Sequence, residues 1–321
     1  SAYKLEVGHP PGAPLFMMIA RLFSAFVETS QVPYMVNFLS ALSSGATIMF
    51  LFWSITHLAK KMAGDDVESD QGKLWAVLGS GLIGGLAYTF SDTFWFSAVE
   101  GEVYAMSSLF TAVVFWAILK WESVVTKEDN QLRWVVLIAY LMGLSIGVHL
   151  LNLLAIPAIC FVYYFKKYDK TNLKGFIYTG LISLGLLALM QTGIIIYFVK
   201  LAAGFEKLFV NSFHLPFNSG IMFYLLLVAA AIFFGLRFAH KKSWLAVHTL
   251  ILGVTVAIIG YTTFAVILVR SQANTPMDEN NPENMFALLS YLNREQYGDR
   301  PLLFGQYFNT PEDVLNPYSD G

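Results

Sequence analysis

One cysteine, Cys160, occurs in the 321 residues. No disulfide can therefore close within the chain, and no Cys/His cluster has zinc spacing. Charge is scarce too. Asp, Glu, Lys and Arg make up 13% of the residues, about half the share found in a soluble domain. The net charge is −2 and no basic tract is present, so nothing offers an electrostatic footprint for nucleic acid. The phosphate-binding Walker loop, a G-x-G-x-x-G after a strand and the H-E-x-x-H of zinc proteases are all missing. Their absence argues against P-loop ATP hydrolysis, a dinucleotide cofactor and zinc proteolysis. The start, SAYKLEVGHPPG, has no basic region followed by an apolar one and no initiator Met. It reads as a piece of a longer protein without a secretory signal.

What is abundant is apolar sequence, 56% of the chain, and it falls in long runs. About 20 helical residues cross a hydrocarbon core. The runs predict an all-α integral membrane protein with about eight spans, near 34–59, 74–93, 102–121, 134–149, 150–166, 175–199, 221–239 and 245–269. Lys and Arg alternate between connections. Lys60, Lys61, Lys73, Lys120, Lys127, Arg133, Lys166, Lys167, Lys170, Lys174, Arg237, Lys241 and Lys242 fall in one set. The other set is poor in both residues, which orients it outward, toward a periplasm or a lumen. Residues 1–33 read as an outer loop with an interfacial helix, PLFMMIARLFSAFVE. The segment FEKLFVNSFHLPF has similar character. Residues 34–269 form the bundle, and 270–321 an outer segment that begins a soluble domain. Within it, NPENMFALLSYLNREQYG predicts a helix with Asn281 as N-cap, Pro282 at the first position and Gly298 past the end. RPLLFGQYF predicts a strand.

Two acids stand at the edge of a span in WFSAVEGEVY. Ser97 to Glu100 fits the S-x-x-E capping box, which assigns Glu100 to the helix start. Glu102 lies closer to the apolar body, where an ionisable group is costly unless it serves a function. GHPPGAPLF cannot be a regular helix. It makes a rigid bend carrying His9, close to Glu6. Arg21, Arg270, Arg294 and Arg300 lie on the lysine-poor side. A guanidinium fork suits a phosphate, although the plainer reading of any single one is snorkelling to headgroups. His149, at a tight turn beside Asn152, could bind a phosphate, polarise a substrate or satisfy the turn.

The stretches GHPPGAPLF, FSDTFWFSAVEGEVYAMSSLF and MDENNPENMFALLSYLNREQYGDRPLLFGQY resemble a family of bacterial multi-pass proteins long filed as a domain of unknown function. Its eukaryotic relative is the transmembrane O-mannosyltransferase that modifies plexin-type IPT domains, and both are similar to the GT-C glycosyltransferases. The resemblance covers essentially the whole chain. It implies a polyprenyl-phosphate sugar donor, a protein or glycan acceptor and transfer with inversion at the outer face of a bacterial inner membrane. It implies no organic cofactor; some GT-C enzymes hold a divalent ion with acids, and others need none. It also implies a general base in a W-D-x-G-E type motif upstream of residue 1, with Glu6 the remaining acid of that loop. On this reading Glu102 serves the reaction. His9, Glu100, Tyr104, His149, Asn152, Arg21 and Arg270 contact substrate. Glu100 and Glu102 alone are too few ligands to argue for a divalent ion. Two other classes compete: a lipid or solute transporter, for which inverted repeats would be expected but none is visible, and a non-catalytic subunit of an envelope or secretion complex.

Overall fold

The computed structural model describes residues 1–125 and 132–298. The strand predicted for RPLLFGQYF, and Arg300, lie outside these residues. The order of helices is α1 (Pro14–Ser24), α2 (Val32–Ala63), α3 (Gln71–Thr89), α4 (Asp92–Val99), α5 (Val103–Val124), α6 (Leu132–Ile146), α7 (Ala155–Lys167), α8 (Leu173–Ala188), α9 (Phe198–Asn211), α10 (Ser219–Lys241), α11 (Leu245–Tyr261), α12 (Ala265–Gln272) and α13 (Met285–Asn293). No strand forms among the described residues. The sole β-type contact among the described residues is a parallel bridge between Val7 and Asp278.

The fold is that of an all-α integral membrane protein. Six helical segments are long and apolar enough to cross a bilayer, and α3 with α4 makes a seventh if that pair, bent by 68°, is one broken span. The eighth predicted span is α6, at 15 residues a short apolar helix. Large apolar side chains point away from the bundle: Leu226 is 66% exposed, Phe234 64% and Leu184 59%. Such surface is stable only against lipid. The spans predicted at 134–149 and 150–166 are separated by a real break. Helix α6 ends at Ile146, and a 3-10 turn, Leu150–Leu154, leads into α7.

Small residues set the tightest packing. Helices α6 and α11 run parallel, with Gly143 against Ala257 and Gly260 against Leu144. A Cβ on Gly143 would fall 2.7 Å from the Ala257 Cα, and one on Gly260 would fall 2.5 Å from the Leu144 nitrogen. Lipid supplies no hydrophobic drive between helices, so close backbone approach of this kind holds spans together. Serines and a threonine of α2, among them Ser43, Ser44 and Thr47, are buried in its packing.

FEKLFVNSFHLPF was expected as a separate interfacial helix. Its first half instead continues a span. Helix α8, a π-helical stretch Leu189–Tyr197 and α9 form one segment, Leu173–Asn211. Its 39 residues extend about 55–60 Å, beyond a core of roughly 30 Å. The buried Tyr261 hydroxyl donates to the Ile195 carbonyl at 3.0 Å and so ties the π-helical stretch to α11. The C-terminal helix also starts later than predicted. Asn281 is left-handed, at φ 43°, and its Oδ1 accepts from the Ser271 hydroxyl, so it is not the N-cap. Asn284 takes that role, accepting from Phe286 and Ala287 N–H at 3.0 Å each. The helix ends at Asn293, with Arg294 left-handed, before Gly298 is reached.

The two ends of the bundle differ. The C-termini of α2 and α5 meet through Lys61 and Glu122, which lie 2.6 Å apart. Trp121 of α5 stacks on Tyr163 of α7 at 5.1 Å, bringing the lysines after α7 to this same end. The opposite, lysine-poor end carries α1, α4, the N-terminus of α5 and the turn at Gly147.

Candidate functional site

The GHPPG bend is fixed from several sides. Pro10 is buried and the Pro10–Pro11 peptide is cis. The Gly12 N–H donates to the His9 carbonyl at 2.9 Å, closing the turn. Gly12 itself has φ 76°, and a Cβ there would lie 2.7 Å from the Tyr291 hydroxyl oxygen. Both the conformation and the space require glycine. Tyr291, fully buried on α13, donates to the Gly8 carbonyl at 2.6 Å. The Val7 N–H donates to Met277 O, and Val7 O accepts from Glu279 N–H. On the far side of the bend the Leu15 N–H reaches the Gly147 carbonyl at 2.8 Å, so α1 starts on the α6–α7 connection.

Beside it lies the EGEVY turn. The predicted capping box does not form. Ser97 lies inside α4, and its hydroxyl donates to Thr93 O at 3.0 Å. Glu100 is the C-cap of α4, and Glu102 is the N-cap of α5, outside the span rather than within it. The break falls at Gly101, where a Cβ would meet Val36 of α2 at 2.9 Å. Phe94 is buried against Tyr88 at 4.3 Å, which holds the segment before the break in helical form. Among the described residues neither carboxylate has an ion-pair or side-chain hydrogen-bond partner. Glu102 is exposed and Glu100 half-buried. A carboxylate at the N-terminus of a helix sits in favourable dipole potential.

A single apolar cluster joins these parts. Phe16 and Ala20 of α1, Leu39 of α2, Met106 of α5 and Val148 form its centre, with Leu15, Val36 and Val103 packed around it. It brings Glu102, Tyr104, His149 and α1 to one end of the bundle. The Tyr104 and His149 rings are 5.4 Å apart. His149 is N-cap of the 3-10 turn, and its Nδ1 accepts from Leu151 N–H at 3.1 Å. Burial pushes its pKa down, which favours the neutral, accepting imidazole. Arg21 lies over the Tyr3 ring at 4.5 Å, and its buried Nη1 has no hydrogen-bond partner among the described residues. A buried guanidinium nitrogen with an open donor suits an anionic oxygen.

Other expected residues are committed elsewhere. Arg270 donates from Nε to Leu5 O at 2.9 Å and from Nη2 to Lys4 O at 2.8 Å, so it holds the N-terminal loop. Asn152 is wholly buried, its Nδ2 against the Met142 sulfur at 3.5 Å and its Oδ1 without a partner. It lies in the bundle interior. The Glu6 side chain is 11% exposed. His9 is exposed on the bend, and Arg294 lies over Tyr297 at 5.1 Å. No group of three or more His, Cys, Asp or Glu able to hold a metal occurs among the described residues.

Two residues that organise this end were not predicted. Tyr291 pins the bend. Glu206, 1% exposed, accepts from the N–H groups of Asn218 and Ile221 and so caps α10. A lone acid in FEKLF, followed by the helix start NSG, was the available signal for the second. Tyr291 had none, because its partner lies 283 residues away.

The family model for the protein O-mannosyl-transferase TMEM260 N-terminal domain matches residues 1–172. That stretch holds every site residue named above for catalysis or binding except Arg270, Arg294 and Arg300. The mouse protein O-mannosyl-transferase TMEM260 is 26% identical over 146 residues, covering 46% of this chain and 18% of the relative. Its Dictyostelium discoideum counterpart is 26% identical over 157 residues, covering 47% and 17%. The matched stretches thus span less than a fifth of the length of these curated relatives. No solved structure matches.

Proposed function

The chain belongs to the family of the TMEM260 protein O-mannosyl-transferase N-terminal domain, and from that premise we propose that it is the membrane part of a glycosyltransferase working at the lysine-poor end of the bundle. The donor is a polyprenyl-phosphate sugar, mannose first among the sugars, and the acceptor is a hydroxyl on a protein or envelope glycan. The face is periplasmic if the protein is bacterial. The oxygen of the acceptor attacks the anomeric carbon as its proton passes to a carboxylate. The bond from that carbon to the phosphate oxygen breaks with inversion, and the lipid phosphate leaves. The observation that carries the reading is the convergence of the GHPPG bend, the unpaired Glu102 and His149 on one apolar cluster.

The roles follow from the placements. Glu102, exposed and without a cation among the described residues, is suited to orient sugar or acceptor hydroxyls or to assist the proton-accepting acid. Tyr104 and His149 offer a ring surface and polar edges beside it. Arg21 offers a donor to the phosphate, where charge develops as the bond breaks. His9 faces outward on a rigid bend. Arg270 acts through the loop it holds, as a positioning residue.

The test uses the full-length protein in nanodiscs with radiolabelled polyprenyl-phosphate mannose and an envelope extract. Label should move into protein or glycan, and Glu102→Gln should lower the rate by about 10²-fold or more, the usual scale for a lost acid–base or orienting group. Full transfer by Glu102→Gln would remove Glu102 from the site. No transfer with any sugar tried would favour the anchoring subunit over the enzyme.

A further inference from the structure

At the other end of the bundle, helices α3 and α5 both pack on α2 and leave a cavity of about 620 Å³ between them. Its walls include Trp53, Leu74, Leu78 and Trp116, and Lys60, Glu68 and Lys120 also line it. Close contact of Gly81 with Thr56 and Phe52 joins α2 to α3 beside it. The short 3-10 strap Asp65–Glu68 crosses from α2 to α3 and buries Val67 in the lining.

Three of the four lysines at this corner are paired with carboxylates. Lys60 pairs with Glu68, Lys61 with Glu122 at 2.6 Å, and Lys73 with Asp66 at 2.6 Å. His57, which also lines the cavity, lies 3.8 Å from Glu122. Lys120 is the exception. Among the described residues it has no carboxylate within ion-pair distance, and its ammonium sits 5.7 Å from the centre of the Trp116 ring at the cavity wall. An apolar slot with an unmatched cation in its lining, at the end of a membrane bundle, matches one kind of occupant by both charge and polarity.

We propose that this cavity is a binding site for an anionic phospholipid of the lysine-side leaflet. An acyl chain lies between Trp53, Trp116, Leu74 and Leu78, and the phosphate sits at Lys120, with Lys60 turning from the exposed Glu68 to join it. An exposed ion pair of that kind is worth little and exchanges easily. The attraction between an anionic headgroup and Lys or Arg at the membrane surface favours the phosphate at the two lysines. The site is separate from the sugar-transfer reading, since it lies at the opposite end of α2 and α5 from Glu102.

The experiment is native mass spectrometry of the full-length protein released from nanodiscs holding equal amounts of phosphatidylethanolamine and phosphatidylglycerol. Wild type should retain phosphatidylglycerol over phosphatidylethanolamine several-fold. Lys60→Gln/Lys120→Gln should erase that preference. Leu78→Trp, which fills the slot but keeps both cations, should lower retention of the lipid. Retention in the ratio of the bath, or an unchanged preference in the double variant, overturns the proposal. Displacement of the lipid by millimolar glycerol phosphate would overturn it as well, since the headgroup alone would then be the ligand. The melting temperature of each variant in detergent separates loss of the site from loss of the fold: a variant that melts with the wild type yet loses the lipid supports the proposal, and one that keeps the lipid refutes it.

Discussion

Gly143→Ala tests the closest helix contact in the bundle. The added Cβ falls 2.7 Å from the Ala257 Cα and 2.8 Å from its carbonyl carbon. Carbon atoms rest at about 3.5–4.0 Å, so the overlap is about 1 Å. The obstacle is backbone, so no rotamer change relieves it, and α6 and α11 must move apart. Overpacking of this kind costs about 1–3 kcal/mol. The same substitution gains about 1 kcal/mol in helix propensity. The net expectation is a loss of about 0–2 kcal/mol against wild type, or a melting temperature lower by up to about 8 °C at roughly 2–4 °C per kcal/mol. Cys160 provides the readout. It is the sole thiol, it is half-buried, and it packs against the main core cluster. A thiol-reactive dye therefore reports unfolding. Gly185→Ala is the control, because a Cβ on Gly185 of α8 meets nothing within 4 Å. That variant should melt at or slightly above wild type. If Gly143→Ala melts as high as Gly185→Ala, the close approach of α6 and α11 is wrong. Gly143→Ala and Gly260→Ala share one contact, so their effects should not add.

Glu206→Ala removes the acceptor of two N–H groups at the start of α10 and should cost about 2–6 kcal/mol, at about 1–3 for each donor left unpaired. Glu206→Gln should fall between that variant and wild type in the same dye melt; a wild-type melt for Glu206→Ala would refute the cap. Tyr291→Phe deletes the donor to the Gly8 carbonyl and should cost about 1–2 kcal/mol while speeding limited proteolysis around the GHPPG bend. Unchanged cleavage there would show that the bend is held without it. For His149 the folded-state pKa lies below its usual value because burial disfavours the charged ring. Above about 6.5, the ordinary value, both folded and unfolded forms are neutral and the stability is complete. As pH falls below that value the unfolded chain takes the proton first, so stability drops until the folded pKa is passed. Wild type should therefore lose more stability than His149→Asn between neutral pH and that lower limit, and equal pH profiles would refute the burial.

The all-α membrane class was legible in the sequence because a bilayer leaves little choice. A long apolar run must satisfy its own backbone polar groups, and a helix does so within the run itself. The periodic return of lysine between spans was legible for a similar reason. The candidate residues of the lysine-poor end were legible as costly groups, Glu102, Arg21 and His149, standing where apolar sequence should continue. Their caps and partners were not. Ser97 and Glu100 satisfy the capping-box spacing, yet packing of Phe94 on Tyr88 draws Ser97 into the preceding helix and leaves Glu102 at the start of α5. Arg270 looks like a phosphate ligand until the fold sets it against the carbonyls of Lys4 and Leu5. Asn152 looks like a substrate contact beside His149 until the fold buries it against Met142 of α6. Local sequence determines which segments can be helical and which residues are expensive to place, because those costs are paid within a few residues. Which polar group meets which is decided by contacts between residues hundreds of positions apart, such as Tyr291 and Gly8, and only the tertiary structure brings these together.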